Sequence, residues 1–260
     1  MNYALESKIA LIVGGTTGIG LATAKAFVAA GAKVILASRS RENGVSAIDK
    51  LRTLGAEATF FQCDVSDPLS VKSLLGAAIG RFGGLDCAVN CAAYDFKPLK
   101  AHEVQSQDVA DHLAVDVQGL FSCMRAEIVA MLSGNGGTIV NIASTTGLSG
   151  TPTAALYSAG KHAVIGLTRS TAKEYIADGI RINSVCPGVT NTPRRERRTA
   201  HLGELERLKQ EEALAMEIPI GRPATAEEIA NAILWLSSPL SSYVVGHSLV
   251  IDGGLSACHL

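Results

Sequence analysis

The sequence predicts an α/β fold: a doubly wound, seven-stranded, mostly parallel sheet with helices on both faces. Three observations predict it. Seven short apolar runs recur along the chain, helix-like stretches separate them, and the composition supplies an aliphatic core. Of 260 residues, 47% are hydrophobic, 5% aromatic and 18% charged, with 26 glycines. A disordered chain combines low hydrophobicity with high net charge, so that class is excluded. Basic and acidic residues number 23 and 24, a net charge of −1, which gives no footprint for nucleic acid. No apolar run approaches the ~18 residues of a membrane span. The opening residues lack the basic-then-apolar pattern of a secretory leader, so a cytoplasmic protein is expected.

The elements follow in order. Run 9–13 leads to a helical stretch at 18–30, run 34–37 to one at 41–54, and run 58–62 to one at 68–81. Run 85–89 precedes a long stretch at 106–132, and run 138–142 precedes another at 154–178. Run 180–186 is followed by a helix at 226–237, and run 248–251 ends the pattern. Each run is short, largely apolar and mostly rich in β-branched residues or Leu, as strands buried on both faces are. Strand–helix units with right-handed crossovers wind a parallel sheet. Asp67-Pro68 reads as a helix N-cap followed by a first-turn proline. Gly31, Gly55 and Gly179 stand where helices end. One segment, about 190–222, breaks the rhythm: it is charged and reads as one or two helices inserted after a strand's carboxyl end, where a substrate lid sits. Without a linker or repeat, residues 1–260 are expected to form a single domain.

Residues 14–20, Gly14-Gly15-Thr16-Thr17-Gly18-Ile19-Gly20, lie between the first strand and the first helix. Glycines there let the backbone approach a pyrophosphate, and the helix N-terminus offers N–H groups and a positive dipole end. This is a Rossmann-type dinucleotide site. An acidic residue at the end of the second strand would select NAD. The chain has Ser38-Arg39 instead, which suits a 2′-phosphate and favours NADP(H), with NAD(H) as the alternative. Asp64-Val65 is placed to frame the adenine. Asn90-Cys91-Ala92-Ala93 supplies small residues for a flat cofactor to pass.

Tyr157 and Lys161 are four apart, on one face of a helix. A phenol titrates near ~10 and is a poor base at neutral pH, but a neighbouring ammonium favours phenolate. Such a pair can exchange a proton with a carbonyl or alcohol oxygen. Ser144, at a strand's carboxyl end, can hydrogen-bond the same oxygen, and a nicotinamide would carry the hydride.

The landmarks in order are the glycine loop, Asp64, Asn90-Cys91-Ala92-Ala93, Ser144, Tyr157/Lys161, Pro187-Gly188 with Thr192, and Ile251-Asp252-Gly253-Gly254. With these, the chain resembles the short-chain dehydrogenase/reductase family over nearly its whole length. The resemblance implies Tyr157 as acid/base and Ser144, thirteen residues earlier, as the group positioning the substrate oxygen. It implies that Lys161 also holds the nicotinamide ribose and that Val189 and Thr192 meet the carboxamide. It implies a homotetramer, and it disfavours enoyl reduction, whose branch spaces Tyr and Lys more widely. Three positions depart from the family pattern. Val13 replaces a common Thr, and Cys91 and Ala93 intrude in Asn-Asn-Ala-Gly. Asp116 replaces an Asn that supports a proton relay to the lysine. Asp116 either accepts the same hydrogen bonds or pulls on Lys161 and weakens its effect on Tyr157.

The expected reaction is hydride transfer between NADP(H) and a small-molecule ketone or secondary alcohol. The alternatives are an acyl-carrier-linked 3-ketoacyl reductase and a non-catalytic dinucleotide-sensing regulator. Residues 94–97, 145–151 and 190–222 are expected to line the substrate pocket. Arg194, Arg195, Arg197 and Arg198 are the densest charge in the chain. They read either as a site for an acidic group or as a solvated helix face balanced by Glu204, Glu206, Glu211 and Glu212. The six cysteines, Cys63, Cys87, Cys91, Cys123, Cys186 and Cys258, read as small buried thiols in a reducing compartment. The six histidines show no metal spacing, so no metal is expected.

Overall fold

Side chains along the first strand alternate between two cores. In the computed structural model, which describes residues 3–55 and 57–257, β1 spans Ile9–Val13. Leu11 and Val13 face one apolar cluster, and Ala10 and Ile12 face the other. A strand with a period of two and no polar side can only sit inside a sheet covered on both faces. The remaining strands are β2 (Lys33–Ser38), β3 (Ala58–Gln62), β4 (Cys87–Asn90), β5 (Gly137–Ile142), β6 (Ile180–Pro187) and β7 (Ser248–Ile251). All pair in parallel in the order β3-β2-β1-β4-β5-β6-β7, so the seven-stranded doubly wound sheet stands as expected.

Helices α1 (Gly18–Ala29) and α2 (Arg41–Arg52) contribute Phe27, Ile48 and Leu51 to one core. The other core receives Leu74 and Leu75 of α3 (Pro68–Phe82). Asp67 caps α3, accepting from Leu69 N at 2.9 Å ahead of the first-turn proline. The stretch 106–132 is not one regular helix. It divides into α4 (Ser106–Leu113), a π-helical segment (Ala114–Gly119) and α5 (Leu120–Leu132). Such bulges concentrate at functional sites, and this one carries the buried Asp116. At its end Gly119 lies against Val65: a Cβ there would stand 2.9 Å from Val65 Cγ2.

Helix α6 spans Ala155–Tyr175, shorter than expected because its last turn tightens into a 3₁₀ turn, Ile176–Asp178. The charged insertion holds two helices, α7 (Pro193–Thr199) and α8 (Glu204–Glu217), neither with a buried residue. Helix α9 (Ala226–Leu236) returns to the core through Ile229, Ile233 and Leu234. Its end is held by Arg181 of β6, whose guanidinium donates to the carbonyls of Leu236, Ser238, Ser241 and Val244 at 2.9–3.3 Å. Cys63, Cys87, Cys123 and Cys186 are buried free thiols and Cys91 is half-buried; Cys258 lies outside the described residues. Among the described residues, no helix is long and apolar enough to cross a membrane, and no group of His, Cys, Asp and Glu could hold a metal ion.

Candidate active site

The strand order reverses between β1 and β4, and there the carboxyl ends of the strands leave a crevice. A cleft of about 880 Å³ occupies it. Val13 of β1, Ser38 of β2, Cys91 and Ala92 after β4, Ser144 after β5 and Pro187 of β6 all reach its wall.

The glycine loop is the tightest part. A Cβ on Gly20 would stand 2.2 Å from the Gly14 carbonyl oxygen, and one on Gly14, whose φ is +78°, 2.6 Å from Ala92 N. Only bare backbone fits, so the loop stays low under the cleft. Thr17, the N-cap of α1, makes no side-chain cap. The first N–H groups of α1 therefore remain available to an anion. Gly14, Thr16, Thr17, Gly18, Ile19 and Gly20 all line the cleft, and these residues fit a dinucleotide pyrophosphate.

Thr16 Oγ1 donates to Ser38 Oγ at 3.2 Å, tying the loop to the end of β2. Arg39 is exposed at the rim of the cleft. Val65, Pro187, Gly188, Val189 and Thr192 line it as well. Gly188 is pressed against Asp252, where a Cβ would meet the aspartate Cβ at 2.7 Å. Two expected cofactor residues do not reach the wall. The Asp64 carboxylate accepts from Ser66 N at 3.0 Å and Ser66 Oγ at 2.7 Å. Its burial works to raise the carboxyl, but these hydrogen bonds and the Arg39 charge outweigh it and hold the group below its ordinary value. Asn90 turns away into the sheet, donating to Glu127 and Asn141 at 3.0 Å each.

Ser144, Tyr157 and Lys161 line the same cleft. Ser144 Oγ accepts from Thr146 N at 3.2 Å, which orients the side chain at the end of β5. Lys161 is buried; its Nζ donates to Ile142 O at 3.0 Å, stands 3.3 Å from Asp116 Oδ1 and lies 5.6 Å from the Tyr157 ring centre. Asp116 does not line the cleft but lies beneath it. Its Oδ2 accepts from Tyr94 N at 2.9 Å and lies 3.4 Å from His112 Nε2.

Two residues here, His112 and Glu127, escaped the sequence reading, and two more, Asp95 and Phe96, fell within the expected pocket segment 94–97 without a role of their own. His112 is fully buried, 5.4 Å from the Tyr94 ring and 6.3 Å edge-on from Tyr157. Burial pushes its imidazole down, against the pull of Asp116. Phe96 stacks on Tyr157 with ring centres 4.5 Å apart. Asp95 gathers three arginines of α7. Glu127 is fully buried on α5, and burial pushes its carboxyl up to about 7 against the hydrogen bond from Asn90. Glu127 left a signal in the sequence, an acid in the middle of an apolar helix face; His112 of α4 meets Tyr157 of α6, and Asp95 the arginines of α7, only through the fold.

The substrate side differs from expectation in three respects. Of residues 94–97 only Asp95 reaches the cleft, while Tyr94, Phe96 and Lys97 line a small separate pocket. Residues 145–151 do not reach the cleft, because Ser158 Oγ of α6 donates to Thr146 O at 2.8 Å and Ser149 O at 3.0 Å and holds that turn down. The arginines of α7 are not balanced by the four glutamates of the insertion; Arg194, Arg197 and Arg198 pair with Asp95.

The family described as enoyl-(acyl carrier protein) reductase matches residues 13–256. An A-factor type gamma-butyrolactone 1′-reductase (1S-forming) of Streptomyces virginiae is 39% identical, covering 97% of this chain and 96% of that protein. A 2,5-dichloro-2,5-cyclohexadiene-1,4-diol dehydrogenase of Sphingobium indicum is 38% identical, covering 97% and 98%. A solved actinorhodin polyketide ketoreductase variant with NADPH superposes with a TM-score of 0.90 at 32% identity, covering 96% of this chain and 97% of that one. With the sheet order, the glycine cradle and these likenesses together, the chain belongs to the short-chain dehydrogenase/reductase family of NAD(P)-dependent oxidoreductases.

Proposed function

We propose that the protein transfers a hydride between NADP(H) and a ketone or secondary alcohol, with Tyr157 as acid and base. The observation that carries this reading is a single cleft lined by the glycine loop, Arg39, Ser144, Tyr157 and Lys161. The loop from Gly14 to Gly20 would hold the pyrophosphate, Ser38 and Arg39 the 2′-phosphate, and Val65 the adenine, with Asp64 braced behind it by Ser66 and Ser70. Pro187, Gly188, Val189 and Thr192 would receive the nicotinamide end. The absence of a carboxylate from the end of β2 supports NADP(H) over NAD(H), as does a similar ketoreductase solved with NADPH. Asn90 supports the cleft floor through its buried hydrogen bonds.

When bound, the nicotinamide supplies or accepts the hydride. Tyr157 gives its phenolic proton to the carbonyl oxygen in reduction and takes it back from the alcohol in oxidation. Ser144 hydrogen-bonds the same oxygen and fixes its position. Lys161 keeps a positive charge beside the phenol, where negative charge develops as the proton leaves. Asp116 orients Lys161 from below and holds the Tyr94 backbone through Oδ2. The four-residue spacing of Tyr157 and Lys161 supports carbonyl chemistry over enoyl reduction.

The insertion carrying α7 and α8 serves as the lid of a single catalytic domain. Exposed apolar residues on α4 and α5 (Leu113, Phe121, Val129, Leu132) and near β7 (Tyr243, Val250) support a homotetramer. The free thiols suit the cytoplasm. A panel of ketones and secondary alcohols run with both dinucleotides tests the reading: NADP(H)-linked turnover of at least one is expected. No turnover of any compound with either dinucleotide overturns it.

A further inference from the structure

The charge beside Tyr157 does not balance. Asp95, in the loop after β4, meets three guanidiniums of α7: Arg194 Nε at 2.9 Å, Arg198 Nη2 at 3.4 Å and Arg197 Nη2 at 3.6 Å. One carboxylate therefore faces three positive charges. Asp95 is the only carboxylate among the described residues that line the cleft. Arg198 is half-buried, and its Nε is buried without a hydrogen-bond partner. Desolvation and the neighbouring Arg194 both work against its charge, and Asp95 only partly offsets them. Arginine does not shed its proton, so the repulsion persists until an anion enters.

This surplus lies over the reacting phenol. The Arg194 guanidinium carbon is 6.0 Å from the Tyr157 ring centre. Phe96 stacks on Tyr157, and Arg198 covers Phe96 at 4.4 Å. Arg194 also donates to the Tyr94 carbonyl, and Arg198 to that of Phe96 at 3.2 Å. The loop that covers Tyr157 is thus fastened by the arginines that carry the unbalanced charge. A planar guanidinium is suited to binding a carboxylate through two hydrogen bonds.

We infer that the substrate carries a carboxylate that docks on Arg194 and Arg198 while its ketone or alcohol carbon faces Tyr157, with Asp95 as the intramolecular occupant of the same guanidiniums. The carbonyl half of this statement rests on the proposed function. The dinucleotide's phosphates share the anionic chemistry, so the test separates the two sources.

The substrates are oxo-carboxylic acids, with the carboxylate two to five bonds from the ketone, and their methyl esters. The ratio of kcat/KM for acid over ester is measured in the wild type, Arg198→Gln and Asp95→Asn. In parallel, melting shifts are recorded with non-reducible carboxylates and their amides, with and without NADP. The ratio is expected to favour the acid, to fall roughly tenfold or more in Arg198→Gln, and to rise in Asp95→Asn. The carboxylates, not the amides, are expected to raise the melting temperature. Turnover with equal acid and ester rates overturns this inference and leaves the proposed function intact. Carboxylate-specific stabilisation without turnover does the reverse. A variant that raises KM for NADPH while the acid-to-ester ratio stays fixed assigns the arginines to the dinucleotide and also overturns the inference.

Discussion

Asp116 Oδ1 stands 3.3 Å from Lys161 Nζ, with both side chains withdrawn from water. The short-chain dehydrogenase/reductase pattern places an asparagine here, so this chain sets a carboxyl group in place of an amide under Lys161. A buried ion pair is orienting when intact and costly when one partner is removed, at about 3–5 kcal/mol. Asp116→Ala should therefore destabilise the protein as well as slow it. Asp116→Asn keeps an oxygen for the Tyr94 N–H and removes only the charge. Protons leave a less negative cluster more readily, so the pH–rate profile of Asp116→Asn should move to lower pH. A profile and rate superimposable on the wild type would remove Asp116 from the proton-handling group.

Glu127 gives a stability prediction. It is fully buried, and desolvation pushes its carboxyl up to about 7 from an ordinary 4.5. Between those values the folded protein holds a proton that the unfolded chain has released, so stability falls as pH rises through this window and levels off above it. The size is about 3 kcal/mol, an order-of-magnitude figure. Glu127→Gln keeps the shape and the acceptor for Asn90 Nδ2 without the charge. Its melting temperature should exceed the wild type at pH 8 and vary less between pH 4.5 and 7. A variant less stable than wild type at pH 8 would refute the account of this buried group.

Arg39 gives a prediction about cofactor choice. It is exposed at the end of β2, where Ser38 and Arg39 stand in place of an acid. Arg39→Asp puts a carboxylate where the 2′-phosphate would bind. KM for NADP(H) should rise by about tenfold or more while KM for NAD(H) changes little or falls. Equal changes for both would remove Arg39 from the 2′-phosphate site.

The sheet could be read from the sequence because each strand is short and mostly apolar: β1, β3 and β7 begin and end at the expected residues. Ser144, Tyr157 and Lys161 could be read because their spacing is local and their strand and helix are strong. The π-helical segment left no trace, since an i→i+5 turn changes no hydrophobic period that a short window can detect. The position of Asn90 follows from the strand and could be read, whereas the direction of its side chain follows from Glu127 on another element and could not. The partnership of Asp95 with the arginines spans about a hundred residues and appears only once α7 lies against the loop after β4.

Tyr157 carries the account. Tyr157→Phe removes one hydroxyl and leaves the ring that Phe96 stacks on, so fold and dinucleotide binding should persist. The direct measurement is kcat for NADPH-linked ketone reduction in Tyr157→Phe, with NADPH affinity measured on the same sample. General acid catalysis by a positioned group contributes about 10²–10⁴-fold, and a loss of that size with unchanged NADPH binding is the predicted result. Turnover equal to the wild type would contradict the mechanism.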